Sequence, residues 1–171
     1  MVLILTVLRL IHILAGVFWA GSAVSLICFI EPAVRKAGPA GEKFFAGLWQ
    51  HTRMLFFMNL SSLLTALTGV VLYWLVSNGN PLAYIGTGIG MGFTLGSVAG
   101  LIEFFNGILV MGPTSAKISA LGMQMQTAGG PPTTVQLDEM GMLQKRLNEG
   151  GKHGAILLAL AVIGMAVARY L

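Results

Sequence analysis

The sequence predicts an all-α fold: an integral membrane four-helix bundle with an amphipathic cytoplasmic segment between its third and fourth helices. Three observations carry that expectation. The chain is 56% hydrophobic and only 9% charged, whereas a soluble domain carries about 25% charged residues. Four apolar runs are long enough to cross a bilayer. Of the ten basic residues, eight lie in or beside the first and third connections and none in the second. At 171 residues the chain reads as one transmembrane domain.

The first span runs from about Val2 to Ile30. It resembles a secretory leader in being apolar and N-terminal. However, no basic region precedes it, Arg9 and His12 interrupt it, and apolar sequence continues to Ile30. It therefore reads as a retained span. The first loop, about Glu31 to Arg53, carries Arg35, Lys36, Lys43 and Arg53. Its Glu42–Trp49 stretch has the aromatic content of a short interfacial helix.

The second span runs from about Met54 to Val76, and Ser77–Pro81 is an uncharged turn. The third span runs from about Leu82 to Met111. Gly88, Gly92, Gly96 and Gly100 recur in it at every fourth position, which places them on one ridge of a helix. A ridge without side chains admits a close helix backbone or a flat cofactor. The other helices are expected to pack around this one, and the ridge also offers a surface for a homo-oligomer or for other subunits of a membrane complex.

A long loop is expected from Gly112 to about Lys152, broken by Gly129-Gly130-Pro131-Pro132. Thr133 and Gln136 have capping-box spacing. Leu137, Met140, Leu143 and Leu147 follow at helical intervals, so the second part of the loop is expected to be a surface helix ending at Gly150-Gly151. The fourth span runs from about His153 to Leu171. The positive-inside rule places both termini outside the plasma membrane and the two long connections in the cytoplasm. The net charge of +4 is thereby accounted for, and no nucleic-acid partner is expected.

His12 lies about ten residues into the first span, roughly 15 Å deep at 1.5 Å per residue. Ionisable groups at such depth face a bundle interior and often mark function. A neutral imidazole there suits a haem iron or a soft metal. The alternative is a packed histidine hydrogen-bonded to a backbone carbonyl or to a Ser or Thr on a neighbouring helix. Gly16, Trp19 and Ser22 share its face by spacing. Met91 and Met165 fall at similar depth and are the candidate second ligands. His51 and His153 lie at the inner ends of their spans and are too far down to pair with His12.

Glu103 is the acidic residue that falls inside an apolar span, and it calls for a cationic partner. Arg53 is the first expectation, with His51 or His153 next. This cluster reads as a proton or cation relay, as a grip on haem propionates, or as an ion pair that fixes helix register. Half of the ten methionines fall between Met111 and Met142. Thioether pairs suit Cu(I), and methionines also cover the apolar faces of amphipathic segments. The single cysteine, Cys28, excludes an internal disulfide. No phosphate-binding glycine loop, HExxH motif or nucleophile elbow is present.

The stretch Leu10-Ile11-His12-Ile13-Leu14-Ala15-Gly16-Val17-Phe18-Trp19-Ala20-Gly21 resembles the first-helix motif of copper-resistance D-type membrane proteins. A similar His-x6-Trp pattern occurs in the bacterial membrane protoporphyrinogen oxidases, which bind haem b. Arg53, with the span ending Leu67-Thr68-Gly69, is similar to their second helix. Met165-Ala166-Val167-Ala168-Arg169-Tyr170 resembles the last helix of small four-helix relatives. The resemblance implies a four- or five-helix fold in which His12 is a haem or metal ligand. The oxidase group also uses a basic residue within a later span, and no lysine stands mid-span here. The expected function is haem b binding through His12, beside Gly92 and Gly96 of the ridge, for electron transfer or haem-linked redox chemistry. Copper or cation handling is the alternative, and a cofactor-free structural subunit is the third reading.

Overall fold

The computed structural model describes residues 2–171. It is helical throughout, with no strand among the described residues. Four helical rods, Val2–Ala37, Met54–Val76, Gly88–Thr127 and Thr134–Tyr170, are long and apolar enough to cross a membrane. They run down, up, down and up.

The first rod is α1 (Val2–Ser25), a π turn at Leu26–Ile30, and α2 (Glu31–Ala37). Gly38 has φ +59° and reverses the chain into α3 (Pro39–His51), which lies back along α2. The Glu42–Trp49 stretch is helical as its composition predicts. Helix α4 (Met54–Val76) follows. The Ser77–Pro81 turn forms with Asn78 and Gly79 at positive φ, which is the usual role of such residues.

The third rod differs from expectation at its start. Pro81–Ile85 is a separate turn of helix, α5, and α6 (Gly88–Asn106) begins only after Thr87. The Thr87 hydroxyl accepts from the Gly90 N–H at 3.0 Å and caps α6. A second π turn, Gly107–Met111, carries the rod directly into α7 (Gly112–Thr127).

The Gly112–Lys152 connection is therefore helical in both parts: the helix expected after Thr133 forms, and α7 stands where a loop was expected. Only residues 128–133, holding Gly129 at φ +66°, separate α7 from α8 (Thr134–Val167). The capping box is present: the Thr133 N–H donates to Gln136 Oε1 at 2.9 Å, and the Gln136 N–H donates to the Thr133 hydroxyl at 3.3 Å. Thr133→Ala is expected to fray the start of α8 at a cost of about 1 kcal/mol, read as faster amide exchange over residues 134–137. Gly150-Gly151 does not end this helix. A β-carbon at Gly150 would lie 2.7 Å from Met111 Sδ, and one at Gly151 2.6 Å from Ile27 Cδ1. These glycines are packing notches inside one continuous rod.

The rods pack as two intimate pairs, α1 with α4 and α6 with α8, closed into a square by α1–α8 and α4–α6 contacts. Helix α6 is thus one of four equal members and not a hub. The buried apolar residues are few, with Ala155, Leu158 and Ala161 along one face of α8 and Ala168 just beyond its end. Leu14 and Val17 of α1, Leu67 of α4, Leu95 and Ile102 of α6, and Ile163 of α8 point outward. This is an apolar exterior around a thin core, with glycines and alanines where the third and fourth rods meet.

Candidate functional site

His12 is half-buried and meets α4. Its Nδ1 lies 2.9 Å from the Thr65 carbonyl oxygen and 3.3 Å from the Thr68 hydroxyl. A carbonyl oxygen cannot donate, so Nδ1 carries the proton. The Thr68 hydroxyl donates onward to the Leu64 carbonyl at 2.5 Å, which leaves its oxygen free to accept from the same N–H. Nε2 then keeps its lone pair. Gly69 makes room for the ring, because a β-carbon there would lie 2.9 Å from His12 Cε1. One turn along α1, a β-carbon at Gly16 would meet Thr65 Cγ2 at van der Waals distance, and Trp19 beyond it is buried. His12 and Gly16 of this face meet α4.

The glycine ridge faces elsewhere. A β-carbon at Gly92 would lie 2.7 Å from Ala168 Cα, and one at Gly96 3.0 Å from both the Ala161 carbonyl oxygen and Met165 Cγ. Gly164 on α8 would meet Gly96 Cα at 3.1 Å. Gly92 and Gly96 are filled by α8 of the same chain, so they leave no slot for a macrocycle and do not stand beside His12. Met165 packs on Gly96. Met91 sits in the first turn of α6 and is 44% exposed. With α6 starting at Gly88, the assumed depth of Met91 no longer holds. The structure joins His12 to α4 and Met165 to α6.

Glu103 is 7% exposed on α6, and its partner is not a cation. Asn106 Nδ2 donates to Glu103 Oε2 at 2.8 Å and to the Gly150 carbonyl at 3.2 Å. Across from it, α8 presents Gly154. A β-carbon there would lie 2.6 Å from Glu103 Oε2. Arg53, His51 and His153 are all exposed. Among the described residues the ion pairs are Arg35–Glu31 and Lys152–Glu149, at 2.6 and 3.1 Å. The expected Glu103–Arg53 pair does not form. Asn106 stands one turn beyond Glu103 on the same helix and reaches it without crossing the bundle, whereas Arg53 precedes α4.

A groove of about 310 Å³ lies between α1 and α4, lined by Ile11, Leu14, Ala15, Phe18, Phe57, Leu60, Ser61 and Leu64. It is open and apolar. Of the loop methionines, Met123 and Met142 are 63% and 67% exposed. Among the described residues no three His, Cys, Asp or Glu side chains gather as a metal site.

Fold and site together define a bundle of four long apolar helices with one oriented histidine between the first two rods and one buried carboxyl between the last two. No family model, curated protein or solved structure matches the chain.

Proposed function

We propose that this is a small plasma-membrane protein that holds a haem b through His12 and serves electron transfer or haem-linked redox chemistry, alone or within a membrane complex. The observation that carries this reading is the hydrogen bond from His12 Nδ1–H to the Thr65 carbonyl. Ligating histidines donate their second ring N–H in this way, which fixes the tautomer and frees the other nitrogen for the metal. The chain's fit to the group is partial: the imidazole suits it, and the filled glycine ridge does not. When bound, the haem would supply a one-electron carrier. The chain's own contribution is to hold the imidazole: Thr65 and Thr68 orient it and Gly69 makes room for it.

The resemblance of the His12–Trp19 motif to copper-resistance D-type and protoporphyrinogen oxidase proteins supports the same reading. A second reading, the cofactor-free structural subunit, draws on a different observation: the ridge glycines and the His12 N–H are both satisfied within the chain.

One experiment separates the two. A reduced-minus-oxidised visible spectrum of detergent-purified protein, expressed with ample haem, is expected to show a haem b band that is lost in His12→Ala. A colourless wild type would end the haem reading. Bound copper in that colourless protein, lost in the same variant, would favour the copper alternative.

Membrane insertion itself is supported by the apolar exterior. An exposed surface carrying this many Leu, Val and Ile side chains is far beyond what a water-soluble monomer presents. Orientation follows from charge. By topology the α2–α3 and α7–α8 hairpins lie at one end of the bundle and, with Arg53 just after α3, hold eight of the ten basic residues. That end is cytoplasmic by the positive-inside rule. In a Cys28→Ser background, Asn78→Cys is expected to react with a membrane-impermeant maleimide on whole cells, and Gln124→Cys only after lysis. The reverse pattern would invert the topology.

A further inference from the structure

The inner end of the α6–α8 contact holds a chemistry that the haem reading does not use. Both π turns converge there. Ile27, from the π turn of the first rod, meets Gly151, and Met111, from the π turn of the third, meets Gly150. Insertions of this kind inside α-helices are frequent at functional sites. One turn further along α8, at Gly154, stands Glu103, a residue more than nine-tenths buried. It is held by the Asn106 amide and seated in the notch at Gly154.

The polar atoms at this point are unbalanced. The acceptors are the two Glu103 oxygens, beside the Gly150 carbonyl, which also closes a turn of α8. Against them stands a single donor group, the Asn106 NH2, already shared between Glu103 Oε2 and Gly150. Buried acceptors require donors, and a carboxylate in an apolar span requires a positive charge. No cationic side chain supplies it.

We propose that Glu103 is a proton-binding site, loading and releasing one proton at the basic end of the bundle. The proton comes from water at that end and forms an O–H bond on Oε1, the oxygen that Asn106 does not occupy. It returns to the same water on release. The proposal rests on membrane insertion and is independent of any haem.

Access is one-sided. Lys152 is exposed and paired with Glu149, and it lies two residues before Gly154 on α8, a rise of about 3 Å. Water therefore reaches close to the carboxyl from that end. Toward the other end, the α6–α8 seam is lined by Gly100, Gly96 and Gly92 against Leu158, Ala161 and Ala168. None of these residues can carry a proton onward.

The charged groups on the surrounding elements do not compensate Glu103. On α8, Glu149 and Lys152 pair with each other and His153 is exposed. On the first rod, Glu31 pairs with Arg35 and Cys28 is exposed. The second π turn carries no charge, Lys117 of α7 is exposed, and Arg53 before α4 is exposed.

The test is labelling of the full chain in lipid vesicles by dicyclohexylcarbodiimide, which reacts with protonated carboxyls in apolar surroundings. Mass spectrometry is expected to place the adduct on Glu103, with labelling that declines as pH rises and is unaffected by sodium chloride. Glu103→Gln is expected to lose the adduct. Asn106→Ala keeps the carboxyl and removes the donor that favours its charged form, so its labelling is expected to persist to higher pH than in wild type. A carboxyl locked in one protonation state would show no such shift. Absence of an adduct at every pH would overturn the proposal. Protection by sodium would do so as well, because it would make the site one for a metal cation.

Discussion

Replacing Gly96 with leucine is expected to abolish recovery of folded, monodisperse protein, whereas Leu95→Val one position away leaves the yield unchanged. The contrast comes from what each residue meets. A first side-chain carbon at Gly96 already lies 3.0 Å from the Ala161 carbonyl oxygen and 3.2 Å from the Met165 backbone N. Those are backbone atoms of α8 and cannot rotate away. The remaining three carbons of leucine would force the α6–α8 pair apart along its whole length. Gly92 and Gly164 would then lose their contacts with Ala168 and Gly96. Overpacking a core costs about 1–3 kcal/mol even where side chains can adjust, and here they cannot. Leu95 is 62% exposed on the opposite face, and removing one methylene there is expected to stay within about 0.5 kcal/mol. Size-exclusion profiles of the two variants in one detergent check this. Equal recovery would mean that the glycine seam does not hold the pair together.

The seam also marks how far a single sequence can be read. The four apolar rods, the Ser77–Pro81 reversal, the break at Gly129–Pro132 and the Thr133–Gln136 capping box were legible. Each depends on composition or on spacing within one segment. The glycine ridge was legible as a close contact, but its partner was not. Nothing in Gly88–Gly100 states whether a macrocycle, another subunit or α8 fills it, and the complementary Ala161, Gly164 and Ala168 become meaningful only once the rods are paired.

Within the 112–152 stretch the sequence predicts a helix only after Thr133, ending at Gly150-Gly151, and no helix before Gly129. Both parts of the stretch are helical because α7 and α8 pack on each other, and Gly150 and Gly151 are kept small by Met111 and Ile27. For Glu103, a general electrostatic expectation pointed across the bundle to Arg53. The partner was Asn106, three residues ahead on the same helix and visible in the sequence by its spacing alone. His12 was recognised as buried, but whether it faced a ligand or a neighbouring carbonyl depended on which helix stood opposite. The carbonyl of Thr65 carries no sequence signature.

The pairing of Glu103 with Gly154 leads to an expectation of comparable size, in which two substitutions repair each other. Gly154→Ala alone is expected to destabilise the bundle by on the order of 1–3 kcal/mol. Its new methyl would lie 2.6 Å from Glu103 Oε2, and the carboxyl has nowhere buried to go without leaving Asn106. Gly141→Ala, farther along the same helix, is the control. Nothing lies within 4 Å of that position, and alanine favours a helix over glycine by about 1 kcal/mol, so this variant is expected to be slightly more stable than wild type.

In a Glu103→Ala background the obstruction at Gly154 is gone. Gly154→Ala then gains the same helix preference and partly fills the space the carboxyl vacated. The double variant is expected to be more stable than Gly154→Ala alone, with a coupling of about 0.5–3 kcal/mol, read from thermal unfolding of the four proteins in one detergent. Simple additivity would mean that the carboxyl does not sit against α8. It would also remove the geometric ground for a buried proton site there, since a Glu103 free to swing into the headgroup region would meet water directly and need neither Asn106 nor the notch.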